Sequence, residues 1–338
     1  MIDRVLIVGL GSIGKRHLKL TRELLPDAQI IVLRHKPTYK LPQYSDGVVN
    51  SVEDAIKFCP QAAIIANPAP YHLSTAQKLA ENGTHLLIEK PLSTSIDRVN
   101  HLIETCRNRN ITLAVGYNLR FSPSLLQYKN LLDEKIIGAL YSVRCEVGQF
   151  LPNWRPQIDY RDSVSARKVL GGGVLLELSH EIDYLRWVFG EIDWVSAVTA
   201  RSSDLEIDVE DTAHVVLGFV GGEVSRTFIG TLNADFIRHD TKRECVAIGD
   251  AGSLRWNGLT GQIEFYRAGA RSWECIYEQC NSVNDTYIEE LKDFFKSTVT
   301  RGFTRTNGED GKCVLEIIEA VRMSSASGGV KCKVMASE

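Results

Sequence analysis

The sequence predicts an α/β Rossmann domain followed by an α+β domain with an open-faced, mainly antiparallel sheet. Three observations carry this reading. The first 120 residues alternate short apolar runs with amphipathic stretches, a glycine-rich turn directly follows the first run, and beyond about Phe121 longer segments of alternating character take over. A chain of 338 residues has room for two cores. The expected division is a dinucleotide-binding domain over 1–120 and a substrate-binding and oligomerisation domain over 121–338.

The apolar runs of the first part are Val5–Val8, Ile30–Leu33, Ala62–Ala66, His85–Ile88 and Thr112–Val115. Unbroken apolar runs signal strands covered on both faces. Helical patterns lie between them over Lys15–Leu25, Ser74–Asn82 and Ile96–Arg109. Strand and helix repeating at this spacing predict a parallel, doubly wound sheet. In the second part Leu140–Phe150, Ala213–Phe219, Glu223–Leu232, Glu244–Ile248 and Gln262–Tyr266 alternate as half-covered antiparallel strands do. Helices are predicted over Val174–Phe189, Asp285–Val299 and Asp310 to about Ser324, the last stopped by Gly328-Gly329.

Composition narrows the function classes. Hydrophobic residues make up 44% and charged residues 24%, as in soluble globular proteins, and the net charge of −3 gives no global pull toward nucleic acid or an anionic membrane. The first apolar run is too short for a signal-peptide core and no stretch reaches membrane-spanning length. The eight cysteines are scattered with no CxxC pair, which points to reduced thiols in the cytoplasm rather than a disulfide framework or a zinc site.

Gly9-Leu10-Gly11-Ser12-Ile13-Gly14 follows the first strand and opens the first helix. In that place Gly9 permits a tight turn, Gly11 lets the backbone approach a pyrophosphate, and Gly14 allows close packing of helix on strand. The anion would rest on the helix N-terminal amides, those of Ser12 and Ile13 among them. An NAD site carries a carboxylate at the end of its second strand, and here that strand runs into Arg34-His35-Lys36. Two permanent cations with no carboxylate favour a 2′-phosphate, so NADP is preferred to NAD.

Ligands of such sheets bind at the carboxyl ends of the strands. Those ends are Asn67-Pro68, Glu89-Lys90-Pro91 and Gly116-Tyr117-Asn118-Leu119-Arg120. The Lys90 ammonium is suited to donate to a substrate hydroxyl or carbonyl, and Lys90-Pro91 is a candidate cis peptide. Later, Gly171-Gly172-Gly173 lead a helix whose apolar stripe is Leu175, Leu178, Ile182 and Leu185. Glu177, His180 and Asp183 (or Tyr184) recur at one turn on its other side, and a histidine between carboxylates suits a base for an alcohol proton. With no second ligand cluster in the sequence, no metal is expected.

In this order the motifs resemble the Gfo/Idh/MocA oxidoreductase family over nearly the whole chain. Ile64–Pro68 with His72 looks like its strand-four motif, and Gly116–Phe121 like the start of its second domain. Gly249 to Leu254, and Glu309-Asp310-Gly311 through Ala320, look like its later segments. The resemblance implies a Rossmann domain joined to an open-faced sheet, that face joining a homodimer or homotetramer. It implies hydride exchange between nicotinamide C4 and a carbon bearing a sugar hydroxyl, with Asn67, Pro68, His72, Glu89, Lys90 and Asn118 on the cofactor side. By position, Lys90 binds and polarises the reacting oxygen, and His180 is the acid/base oriented by Asp183 or Glu177.

One departure concerns that last pair. The common family pattern places the histidine four residues after an Asp, whereas Glu177 precedes His180 by three. Trp154-Arg155, Tyr160-Arg161 and Ser163–Ala166 before the glycines look like a subgroup that carries His-Glu-Ile-Asp. Together with Arg120, the residues Trp154, Arg155, Tyr160, Arg161 and Arg167 form the expected substrate side. The cations Arg155, Arg161, Arg167 and Lys168 suit a sugar acid, sugar phosphate or nucleotide-linked sugar, unless Asp159 and Asp162 pair with them on the surface. The expected activity is thus an NAD(P)-dependent oxidoreductase of sugar-type alcohols. A glycoside-cleaving enzyme recycling a bound nicotinamide and a non-catalytic dinucleotide sensor are the alternatives.

Overall fold

The structure, a computed structural model, describes residues 2–35, 40–220, 228–279, 282 and 284–335. It divides into two compact units, Met1–Asn118 with Val283–Leu315, and Leu119–Ser282 with Glu316–Glu338.

The first unit is built on six strands, β1 (Arg4–Val8), β2 (Gln29–Leu33), β3 (Gly47–Val49), β4 (Ala62–Ile65), β5 (His85–Ile88) and β6 (Leu113–Val115). Their order is β3-β2-β1-β4-β5-β6 with every pair parallel. The strand order reverses between β1 and β4, which opens a crevice at their carboxyl ends. The helices are α1 (Ser12–Leu24), α2 (Val52–Lys57), α3 (His72–Glu81) and α4 (Val99–Asn108). Each predicted strand of this part is present. The sequence reading missed β3 and α2, although α2 carries its own start signal: Ser51 Oγ accepts from Asp54 N at 3.1 Å.

The division departs from the expected one at the C-terminal side. Helix α8 (Asp285–Thr300), which the sequence reading assigns to the second domain, belongs to the first unit. Its Leu291, Phe294 and Phe295 are buried in one cluster with Val5, Ile7, Leu18, Ile30 and Val32. An amphipathic pattern states that one helix face is buried but does not say against which sheet. The first turns of α9 (Gly308–Ala326), through Leu315, are likewise part of this unit.

The second unit begins with α5 (Pro123–Asp133) and is built on nine strands. These are β7 (Leu140–Gly148), β8 (Ile192–Ala200), β9 (Thr212–Phe219), β10 (Ile229–Asp235), β11 (Lys242–Gly249), β12 (Gly252–Asn257), β13 (Gln262–Arg267), β14 (Glu274–Glu278) and β15 (Cys332–Lys333). The order is β14-β13-β12-β11-β7-β10-β9-β8-β15, antiparallel except for the parallel pair β7 and β10. Of the segment Glu223–Leu232, residues 223–227 lie outside the described residues and Ile229 begins β10. Burial alternates along β8 and β10, so their second face is at most half-covered by this chain. Two helices, α6 (Val174–Glu177) and α7 (Ser179–Phe189), stand where one was expected. Among the described residues no helix is long and apolar enough to cross a membrane.

Candidate active site

The glycine turn sits at the switch point of the first sheet. Gly9 adopts φ +87° and its N–H donates to Leu33 O at 3.1 Å, which turns the chain sharply out of β1. A Cβ on Gly14 would fall well under 3.0 Å from Gly9 O, so helix and turn are in direct backbone contact. A Cβ on Gly11 would meet nothing within 4 Å. Gly11 is also the N-cap of α1 and makes no side-chain capping bond, which leaves the first amides of the helix open to an anion. Ser12 beside it is exposed, and Ile13 is half-buried. At the end of β4, the Asn67 side-chain amide is buried and, among the described residues, has no hydrogen-bond partner at either Nδ2 or Oδ1. An open anion cradle beside an unsatisfied amide is what a dinucleotide would fill, so these residues fit the nicotinamide cofactor.

Several other residues expected at the cofactor hold the frame of the crevice. His72 is 1% exposed, with Nε2 2.7 Å from Asn67 O and Nδ1 3.0 Å from Pro91 O. Burial pushes its pKa down. Its ring therefore braces the loops after β4 and β5, with Pro68 entering the short turn that leads to α3. Glu89 pairs with His17 Nε2 at 2.6 Å through one carboxylate oxygen, and the other accepts from Lys90 N at 3.2 Å. Asn118 Nδ2 donates to Thr286 Oγ1 at 2.8 Å. The Lys90-Pro91 bond is cis, and Lys90 follows β5 with its side chain half-buried. At the end of β2, Arg34 is half-buried with its N–H on Val49 O at 3.0 Å, and His35 is exposed. Lys36 lies outside the described residues.

In the second unit the glycine-led segment begins with Gly173 at φ +109° and breaks at Leu178, which leaves helical geometry at φ −102°, ψ 26°. The expectation of one continuous helix with Glu177, His180 and Asp183 in register is corrected by this break. Apolar periodicity continues across it, because Leu175, Leu178 and Ile182 are all buried either side of the kink. His180 is 9% exposed. Asp183 is gripped by Arg120 in a two-pronged ion pair, Nε to Oδ2 at 2.9 Å and Nη2 to Oδ1 at 2.6 Å, with side chains 5% and 1% exposed. Glu181, fully buried, receives Arg243 Nε at 2.8 Å from β11. Tyr184 lies with its hydroxyl 2.9 Å from Cys145 Sγ. The helix that carries His180 is thus pinned by two ion pairs that its sequence alone did not disclose. The sequence reading gave Glu181 no role, and its partner lies 62 residues away.

The loop before the glycines holds the expected substrate side. Trp154, Arg155 and Tyr160 line a small pocket together with Leu151 and Ile158. Arg161 is taken by Asp159, Nη2 to Oδ2 at 2.6 Å, and by Glu206 at 3.1 Å. Arg167 Nε donates to Arg161 O at 2.6 Å. Two of the four cations are therefore bound to this protein's own groups, while Arg155, in the pocket wall, and Lys168 are both exposed. Among the described residues, one grouping has metal-ligand character: His17, Glu89 and Glu290, with one donor atom of each within 4.8 Å of the others.

Comparison with known proteins gives the same picture. Residues 4–117 match the description "Oxidoreductase family, NAD-binding Rossmann fold", and residues 129–334 match "Oxidoreductase family, C-terminal alpha/beta domain", both of the Gfo/Idh/MocA group. Myo-inositol 2-dehydrogenase of Thermotoga maritima is 26% identical over 95% of this chain and 96% of its own length. Levoglucosan dehydrogenase of Pseudarthrobacter phenanthrenivorans is 31% identical over 78% of this chain and 77% of its own. The fold superposes on a levoglucosan dehydrogenase in complex with NADH and levoglucosan with a TM-score of 0.85 at 22% identity, covering 99% of this chain and 100% of that one. It also superposes on the WlbA dehydrogenase of Bordetella pertussis in complex with NADH and UDP-GlcNAcA, TM-score 0.80 at 20% identity, with both chains fully covered. The chain belongs to the Gfo/Idh/MocA oxidoreductase family, with residues 4–117 its NAD-binding Rossmann domain and residues 129–334 its C-terminal α/β domain.

Proposed function

We propose that this oxidoreductase exchanges a hydride between a nicotinamide cofactor, NADP in preference to NAD, and the hydroxyl-bearing carbon of a sugar, sugar acid or nucleotide-linked sugar. The observation that carries the reading is the turn at Gly9–Gly14, closed at Gly14 and open at Gly11, beside the unsatisfied Asn67 amide. The cofactor supplies the hydride acceptor or donor. Lys90 holds the reacting oxygen as a cationic donor, and His180 takes or returns the hydroxyl proton. Asp183 and Glu181, each tied to an arginine, fix the helix on which His180 rides. The substrate class draws support from relatives named for myo-inositol and levoglucosan, and from the structural neighbour bound to UDP-GlcNAcA. A cytoplasmic homodimer or homotetramer is the proposed form. The face of the second sheet that exposes Val198 and Ile229 is its contact surface.

The NADP preference rests on Arg34 and Lys36 with no carboxylate at the end of β2. A charged hydrogen bond to a 2′-phosphate is worth about 1.5–3 kcal/mol, or roughly ten- to a hundredfold in affinity. Titration with NADPH and NADH, followed by energy transfer from tryptophan, reads this directly. Arg34→Ala is expected to weaken NADPH by about tenfold or more and to leave NADH nearly unchanged. Equal binding of both cofactors by the unaltered protein defeats the NADP assignment. Absence of nicotinamide absorbance change across a panel of polyols, sugar acids and nucleotide sugars, with cofactor bound, defeats the substrate assignment.

A further inference from the structure

Three side chains from three elements of the first unit meet in its interior: His17 of α1, Glu89 at the end of β5 and Glu290 of α8. They are 0%, 7% and 2% exposed. His17 and Glu89 are joined at 2.6 Å, and Glu89 also accepts from the Lys90 amide at 3.2 Å. Glu290 differs from both. No N–H or O–H of the described chain reaches either of its oxygens. A buried carboxylate with neither a counter-charge nor a donor is strongly disfavoured, and such a group takes up a proton instead.

Among the described residues no cation forms an ion pair with Glu290. From its own helix it faces Tyr287 and Asp293, and from β5 it faces Glu89. From α1 come His17 and Arg16, whose guanidinium is stacked over the Tyr287 ring 4.8 Å from its centroid. Burial first, then the charges of Glu89 and Asp293, hold the Glu290 carboxyl well above the usual range. Once protonated, the group has an O–H to donate, and a carboxylate oxygen of Glu89 lies within 4.8 Å.

We propose that Glu290 stands in the folded protein as a neutral carboxylic acid that donates its proton's hydrogen bond to Glu89, so that His17, Glu89 and Glu290 form one cluster positioning the strand end that carries Lys90. The value of that positioning for catalysis rests on the role proposed above for Lys90, whereas the proton on Glu290 does not. The same three donors have the chemistry of a divalent-cation site, and the geometry argues against it. A metal-bound imidazole orients itself by giving its second nitrogen an acceptor, and among the described residues His17 Nδ1 has none.

Infrared spectroscopy of the intact protein near pH 7 tests the proton. The carbonyl stretch of a protonated carboxyl is expected in the unaltered chain and lost in Glu290→Gln. Absence of that band from the unaltered chain, or its persistence in Glu290→Gln, overturns the proposal. A stoichiometric divalent metal in elemental analysis overturns it in favour of a cation. Hydrogen exchange at the Lys90 amide tests the positioning. Removing the donor in Glu290→Met is expected to speed exchange about tenfold, the loss of roughly one hydrogen bond's worth of local stability, and Glu290→Gln is expected to restore protection to within about twofold. Equal exchange in all three proteins overturns the positioning. Both readouts are independent of turnover, so a Lys90→Met variant that retains activity would refute the catalytic assignment of the lysine without touching the proton.

Discussion

Two alanine substitutions three residues apart in the glycine turn, Gly11→Ala and Gly14→Ala, are expected to separate binding from stability. At Gly14 the added methyl would lie well under 3.0 Å from the Gly9 carbonyl oxygen, closer than real Cβ atoms come. Gly9 cannot yield freely, because its positive φ and its bond to Leu33 O fix the turn. Such overpacking costs about 1–3 kcal/mol, and the better helix propensity of alanine returns at most about 1 kcal/mol. The net loss of roughly 1–2 kcal/mol lowers the melting midpoint by about 2–4 °C for each kcal/mol. At Gly11 the backbone, φ −66° and ψ −171°, is open to any residue, and the methyl would meet nothing within 4 Å. That substitution therefore leaves the midpoint unchanged or raises it slightly, by the about 0.4–1 kcal/mol that alanine removes from the unfolded chain's freedom. It occupies the space through which a pyrophosphate reaches the backbone, so nicotinamide affinity should fall by more than about tenfold. Thermal melting and tryptophan-to-nicotinamide energy transfer measure the two quantities on the same samples. Undiminished binding by Gly11→Ala would show that the anion does not rest on this turn, and an unshifted midpoint in Gly14→Ala would refute the packing argument.

Replacing Arg120 by Met leaves the Asp183 carboxylate buried without its partner, a loss of about 3–5 kcal/mol. The double variant Arg120→Met, Asp183→Leu should lose less than Arg120→Met alone, and a double-mutant cycle in denaturant that shows additivity would deny the coupling. Arg243→Met strips Glu181 of its cation in the same way. Glu181 would then bind a proton more readily in the folded state than unfolded, so the deficit should shrink as pH falls toward the unfolded carboxyl value of about 4.3, and a deficit independent of pH counts against the pair. Burial raises the Cys106 thiol to about 12 from 9.0, which suppresses its thiolate roughly a thousandfold at neutral pH. Cys59 and Cys275, exposed, should react with a thiol reagent at once while Cys106 reacts only on unfolding; the stability Cys106 contributes is full below about pH 9 and declines as pH rises toward 12.

The legible part of this protein is the part written in local patterns. Five apolar runs gave five of the six parallel strands, because a strand covered on both faces has no polar positions to blur it. The steric side of the glycine turn was readable, the positive φ at Gly9 and the close contact at Gly14, since room at a backbone position is a property of residue type. The second sheet was read only in part. Ile192–Ala200 became β8 with Asp193 and Trp194 near its start, and Gly252–Asn257 became β12 with Arg255 inside it. Mixed composition of this kind hides the alternation that burial makes plain in three dimensions. Helix α8 was found in the sequence but given to the wrong sheet, because core partners such as Val5, Ile30 and Val32 lie more than 250 residues earlier in the chain.

The site shows the same boundary from the other side. Residue types suited to the chemistry were visible at Lys90 and His180, yet the side chains that hold them were not. Spacing alone suggested that Glu177 and Asp183 flank His180 on one helix face. The break at Leu178 removes Glu177 from that register, and Arg120 claims Asp183 from 63 residues away. A glutamate three residues ahead of the histidine is therefore no defect in a continuous helix, because no continuous helix exists there to impose a four-residue repeat. The short first turn after Gly173 and the separate start at Ser179 set the two positions by loop geometry instead. Ion pairs between α7 and its neighbours, Asp183 with Arg120 and Glu181 with Arg243, then fix the orientation that helical periodicity was expected to supply. On this argument the setting of the helix that carries His180 depends on Arg120 and Arg243, and loss of either should loosen that helix.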